Sequence, residues 1–235
     1  MSDKVKIILI YSFVAVFGLL LTGGFIWVRQ ARLAKERALT EARLAENVGR
    51  QEKSEFLTLE EDLVAVNQAG EEVRLSELED KVWMLAEFFA ECPMCAQRNA
   101  DHLLKFYNKY KDHPDFHVVC VSVDPETDDP ERLQEMADSL NVDVEDWWFL
   151  TGDRETLHRY MEKEAAFLSI RERTNPEDIE VMGRFAHDMG LAVIGRGMRM
   201  VEKKDLFWAR EQGDGLYEHQ EELLTAAIER ELNDE

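Results

Sequence analysis

Residues 81–95 read KVWMLAEFFAECPMC. The stretch Lys81–Ala90 is mostly apolar and of strand length, so it reads as a buried strand. Cys92 follows at once, and Cys92-Pro93-Met94-Cys95 places two thiols three residues apart where the strand gives way to a helix. Residues 95–111 carry helical spacing, with Leu103, Leu104, Tyr107 and Tyr110 available for one face. Cysteines at that separation fall on one side of a helical turn. The helix N-terminus offers partial positive charge and unsatisfied N–H groups. Both stabilise a thiolate, and a thiolate attacks disulfides and also binds soft metals such as Cu(I). The pair therefore suits disulfide exchange and metal binding equally. A structural zinc site commonly needs two such pairs, and this chain has one.

Downstream, Phe116–Val123 is a second apolar strand, closed by Asp124-Pro125. Residues 130–140 read as a helix opened by Asp129-Pro130. Trp147–Leu150 is a short strand, with the Trp147-Trp148 pair read as core and rim packing, and residues 153–164 read as a helix. Met189–Ile194 and Met198–Glu202 flank Gly195-Arg196-Gly197 as a hairpin, and residues 217–232 close the chain as a helix with Leu223, Leu224, Ala227 and Ile228 inward. Upstream, Leu63–Val66 and Glu72–Leu75 flank Gln68-Ala69-Gly70 as a small hairpin that adds strands at the N-terminal end. Alternating strands and helices require a sheet with helices on its faces. This order is that of an α/β thioredoxin-like fold: a central mixed sheet, helices on both faces, and an N-terminal β-hairpin extension.

The third cysteine, Cys120, lies in the apolar run Val118–Val121 and is expected to pack as a small hydrophobe. His102, His113, His117, His158 and His219 have no cysteine or histidine at ligand spacing and read as structural. Met182, Met189, Met198 and Met200 fit strand packing better than soft-metal ligation.

The N-terminus differs in kind. Residues 7–28 read IILIYSFVAVFGLLLTGGFIWV, without a charge. About 20 apolar residues span a bilayer as a helix. No small-residue cleavage pattern follows, so the run reads as a retained anchor. The expected organisation is a tail at 1–6, a transmembrane anchor at 7–28, a juxtamembrane helix and linker at 29–54, and a globular domain at 55–235. Lys4 and Lys6 precede the anchor, and Arg29, Arg32, Lys35 and Arg37 follow it; taken alone, that count keeps the domain in the cytoplasm. The chain's net charge is −21, yet residues 1–54 carry 9 basic and 5 acidic side chains, leaving 19 basic and 44 acidic in the remainder. A domain so acidic is repelled by phosphate backbones, so nucleic acid is not an expected partner.

From about Phe56 to Lys204 the chain resembles the Sco/SenC family of membrane-anchored thioredoxin-fold proteins. The segments that carry the resemblance are EEVRLSELEDKVWMLAEFFAECPMC at 71–95, VVCVSVDPETDDPERLQEMA at 118–137, WWFLTGDRETL at 147–157, and His187 seven residues before Ile194. The resemblance implies a copper-handling protein facing the periplasm or an equivalent compartment, against the charge count. Its partner would be the cytochrome c oxidase subunit that carries the CuA centre, or another thiol or disulfide protein. It also implies that Cys92 and Cys95 act as thiolate ligands and His187 as the imidazole ligand, and that the two cysteines are the redox pair. Three departures stand out. The family usually spaces its cysteines C-x-x-x-C, usually places Pro after the second where Ala96 stands here, and usually places Asp before the histidine, where Ala186 stands and Asp188 follows. The shorter spacing is the one typical of disulfide exchange, so a membrane-tethered thiol–disulfide oxidoreductase is the alternative. Membrane-tethered reductases of cytochrome maturation share C-x-x-C but carry a proline just before the strand facing the cysteines, and no proline immediately precedes Met189.

Overall fold

The computed structural model describes residues 57–90 and 95–234, with only the backbone of residues 95–98 and 181–182. The apolar run 7–28, the segment 29–54 and Cys92 lie outside the described residues. Among the described residues no helix is long and apolar enough to cross a membrane.

The strands are β1 (Leu57–Thr58), β2 (Val64–Val66), β3 (Glu72–Arg74), β4 (Val82–Phe88), β5 (Phe116–Ser122), β6 (Trp147–Leu150), β7 (Arg171–Glu172), β8 (Phe185–Ala186), β9 (Leu191–Gly195) and β10 (Arg199–Lys204). The helices are α1 (Cys95–Tyr110), α2 (Pro130–Leu140), α3 (Arg154–Arg159, continued by a π-helical turn Tyr160–Glu164), α4 (Pro176–Met182), α5 (Leu206–Gln212) and α6 (Asp214–Asn233). The central sheet runs β1-β10-β9-β4-β5-β6. β4, β5 and β6 are mutually parallel, while β9 lies antiparallel to β4 and β10 antiparallel to β9. This is the mixed sheet of a thioredoxin-like α/β fold.

β4 and β5 are buried at every residue, which is why they read as continuous apolar runs rather than alternating ones. Alternate side chains of β4 still part to opposite faces. Val82, Met84, Ala86 and Phe88 meet α1, α2, α5 and α6, whereas Trp83 and Leu85 meet the α3 region and the β2–β3 hairpin. Helices thus cover both faces, but four of the six described lie on one. Cys120 faces the helix-rich side and packs as a small hydrophobe, as expected, and Trp147 and Trp148 are both buried in the core, with neither at the rim.

Several boundaries differ from the sequence reading, each for a local reason. The β2–β3 hairpin does not extend the central sheet; it pairs with itself and touches β6 through a Val66–Thr151 bridge. The strand that the N-terminal end adds is instead Leu57–Thr58, paired with β10. The 189–194 strand begins only at Leu191, because the Asp188 Oδ1 accepts the Gly190 N–H at 2.7 Å and turns the chain there. Met189 therefore lies in a loop, Met198 in the turn at φ 59°, and Met182 ends α4; only Met200 is in a strand. The C-terminal helix begins at Asp214 rather than 217, and α5 precedes it, capped by Asp205, whose carboxylate accepts the Trp208 N–H at 2.7 Å. Between the α3 region and β9 the chain makes an excursion through β7, α4 and β8, a two-stranded ribbon of two residues a side. That excursion delivers His187.

Candidate functional site

β4 ends at Phe88, and Phe89 and Ala90 carry the chain to within two residues of Cys92. Asp128, wholly buried after β5, holds the exit: its carboxyl accepts the Ala90 N–H at 3.2 Å and the Ser122 hydroxyl. Burial pushes its pKa up to about 6, against the lowering effect of those two hydrogen bonds. On the far side of the cysteines, Cys95 opens α1; its side chain is not among those described.

His187 follows directly on β8. Its side chain is 3% exposed. The ring stands edge-on to Phe89, centroids 5.7 Å apart. Phe89 in turn packs edge-on against Phe185. The ring Nδ1 lies 2.7 Å from the Asp188 carbonyl and 3.6 Å from Glu87 Oε2. A carbonyl can only accept, so Nδ1 donates a proton to it.

Glu87 sits at the end of β4, with its side chain fully buried. Its Oε2 accepts the Asp188 N–H at 2.8 Å, while Oε1 has no hydrogen-bond partner among the described residues. Burial raises its pKa, and contact with His187 opposes the rise. Asp188 is buried too, and burial would raise its pKa. The Lys203 ammonium at 2.8 Å outweighs that, together with the Gly190 and Leu168 N–H groups, and holds it below the usual range. Asn99, four residues into α1 from Cys95, donates from Nδ2 to the Met189 carbonyl at 3.3 Å. Each flank of the cysteine segment thus touches the His187 segment: Phe89 before it and Asn99 after it.

A cavity of about 20 Å³ lies where the end of β4 meets the first turns of α1, lined by Phe89, Asn99, Leu103 and Cys120 among others. It has room for about one water and none for an organic substrate. Among the described residues no three His, Cys, Asp or Glu side chains gather to hold a metal.

Of the residues singled out from sequence, His187 is placed by the fold beside the strand that leads to Cys92, and Cys95 at the start of α1. Cys120 is walled off: burial pushes its thiol far up. His102 and His117 are buried and held neutral, with pKa values down to about 4 and about 3. The sequence reading missed Glu87, Asn99 and Asp128. A single carboxylate inside Val82–Phe89 was the available signal for the first.

Comparison with known proteins agrees with this fold. The SCO1/SenC family model matches residues 51–213. A curated relative, the SCO1 protein homolog of Bacillus subtilis, is 32% identical over 87 residues, which is 37% of this chain and 45% of the relative, so the match spans about half of that protein's length. Among solved structures, a SCO1/SenC family lipoprotein from Bacillus anthracis superposes with a TM-score of 0.55 at 22% identity, covering 63% of this chain and 84% of that one. ScoI of Arabidopsis thaliana, solved with copper bound, superposes with a TM-score of 0.54 at 17% identity, covering 73% and 99%. The structural likenesses carry the fold, and the family match, which spans well over half of the 235 residues, carries the affiliation. The chain belongs to the SCO1/SenC family.

Proposed function

We propose that this protein is a membrane-anchored copper carrier, binding the ion through Cys92, Cys95 and His187 and passing it to the CuA subunit of cytochrome c oxidase. The observation that carries the reading is the double tie between the cysteine and histidine segments: Phe89 against the His187 ring, and Asn99 to the Met189 carbonyl. Two thiolates and one imidazole suit copper in either oxidation state. With Nδ1 against the Asp188 carbonyl, Nε2 would be the nitrogen that ligates the ion. Copper here is cargo, released by ligand exchange with an acceptor's thiolates. Residues 7–28 would hold the protein in the membrane with the domain on the extracytoplasmic side. A reporter fused after Arg50 tests that orientation: activity of an exported phosphatase supports it, and activity only of a cytoplasmic reporter refutes it.

The metal reading is tested by titrating the reduced protein with copper, beside His187→Ala. We expect an affinity loss of at least ~10-fold. Equal affinities would remove His187 from the ligand set.

The C-x-x-C spacing favours a second activity of the same residues. The Cys92 thiolate attacks an acceptor disulfide and forms a mixed disulfide. The Cys95 thiolate then displaces the acceptor sulfur, leaving the acceptor as a dithiol and Cys92–Cys95 oxidised. Cys95→Ser should trap the mixed disulfide on a gel run without reductant; absence of any trapped species argues against this chemistry.

A further inference from the structure

Three buried polar atoms without a hydrogen-bond partner among the described residues belong to the walls of one cavity: Glu87 Oε1 on β4, Asn99 Oδ1 on α1 and the Trp147 indole Nε1 on β6. Their residues are at most 3% exposed. Buried polar atoms are almost always hydrogen-bonded, and leaving one unpaired costs free energy. Three around one space call for a shared partner. The Asn99 amide has a fixed sense, because its Nδ2 donates to the Met189 carbonyl at 3.3 Å; Oδ1 is left as an acceptor. The Trp147 indole lies beside the Cys120 thiol, another wall of the cavity, near enough to offset part of the rise that burial gives its pKa.

The cavity's volume of about 20 Å³ admits one water and nothing larger. A water satisfies all three atoms at once. It donates to Glu87 Oε1 and Asn99 Oδ1 and accepts the indole N–H, and three bonds are usual for a buried water. The count closes equally for a protonated Glu87, whose O–H the water's second lone pair accepts. A cation would meet the indole N–H, which has nothing to offer it.

We propose that this cavity is a binding site for one water molecule, and that the water closes a hydrogen-bonded ring beside His187. The ring runs from Glu87 Oε1 through the water to Asn99 Oδ1. It continues from Asn99 Nδ2 to the Met189 carbonyl, and returns from the adjoining Asp188 N–H to Glu87 Oε2 at 2.8 Å. The strand that leads to Cys92, the helix that Cys95 opens and the segment after His187 thereby share one set of bonds. The ring uses neither nitrogen of His187 and needs no metal, so it stands or falls apart from the copper reading.

The test uses the whole protein in detergent micelles, labelled with the heavy nitrogen isotope. Trp147→Phe identifies the Trp147 signal among the five indoles. In wild type that indole proton should show a cross-peak to water of opposite sign in NOE and rotating-frame spectra, which marks a bound molecule rather than proton exchange. Its absence overturns the proposal. Cys120→Val adds a methyl to the cavity wall and leaves every member of the ring in place. It should abolish the cross-peak and speed deuterium exchange of the Asp188 amide by ~5-fold or more. Cys120→Ala removes bulk instead, and should keep the cross-peak and leave that exchange rate within ~2-fold of wild type. A cross-peak that survives Cys120→Val refutes the site. An Asp188 amide that still exchanges at the wild-type rate once the water is gone refutes the ring. So does equal acceleration in both variants, which would mark Cys120 as core packing alone. If Cys120→Val fails to fold, the wild-type cross-peak still decides whether the water is there.

Discussion

His117 sets a pH limit on this fold. It lies on β5, 1% exposed, its ring edge-on to Trp148 at 4.6 Å, and neither ring nitrogen has a hydrogen-bond partner among the described residues. Burial drives its pKa down to about 3, and the Lys81 charge adds to the effect. The unfolded chain takes the proton near the ordinary value of about 6.5. Below that pH the unfolded state binds a proton the native state refuses, so the stability contribution is full above pH ~6.5 and drains away toward the native pKa. At pH ~4.5 the difference is about 3 kcal/mol, a large share of a domain's stability. His117→Phe removes the titration. We expect urea unfolding, followed by tryptophan fluorescence, to show wild type losing about 2–3 kcal/mol more than the variant between pH ~7 and pH ~4.5. Equal losses in both proteins would mean that the imidazole is solvated or paired, and would refute the account.

Asp128 should act in the opposite direction. Its native pKa of about 6 lies above its unfolded value, so its contribution is full below pH ~4 and disappears as pH rises through ~6. Asp128→Asn, which can donate to Ser122 and accept from Ala90, should gain up to about 3 kcal/mol on wild type over that window; a pH-independent difference in urea midpoints would contradict this. Gly195→Ala should lower stability by about 2 kcal/mol or more, because the new methyl would press on Glu231 Oε2 and lie 2.7 Å from its Cδ, disturbing a buried carboxylate paired with Arg199 at 3.1 Å. Calorimetry of Gly195→Ala with and without Glu231→Ala tests this: the second change should recover part of the loss, and simple additivity would count against it. Cys120 should resist maleimide in the native protein and react in urea, since it is buried with a raised pKa; native labelling by mass spectrometry would show the strand opening.

The sheet's centre was legible because β4 and β5 are buried on both faces and so leave long apolar runs, with β6 and α2 bounded by turn and cap residues. α4 and α5 were equally marked, by Asn175-Pro176 with Gly183 and by Asp205 with Gly213, but their seven-residue lengths leave little periodicity to find. β1, β7 and β8 are two residues each, and no pattern of period two can be read in two residues; tertiary pairing alone makes them. At the site, His187 was found by resemblance and not by spacing. Glu87, Asn99 and Asp128 act on backbone groups 38 to 101 residues away, and such bonds leave no local mark.

The excursion bearing His187 has its own energetic consequence. A ribbon of two residues a side does not stand alone in water. β7 and β8 are held by Arg173, which donates to the Gly183 carbonyl at 3.0 Å and to that of Phe185, and by the Arg184–Glu172 pair at 2.8 Å. β4 and β5, by contrast, are buried along their whole length. Amides of the ribbon should therefore exchange with deuterium well before those of the central strands, by a local opening that leaves the sheet intact. Under the ligand set proposed above, such an opening would carry the His187 ring away from the cargo and leave an acceptor to compete for two sulfurs.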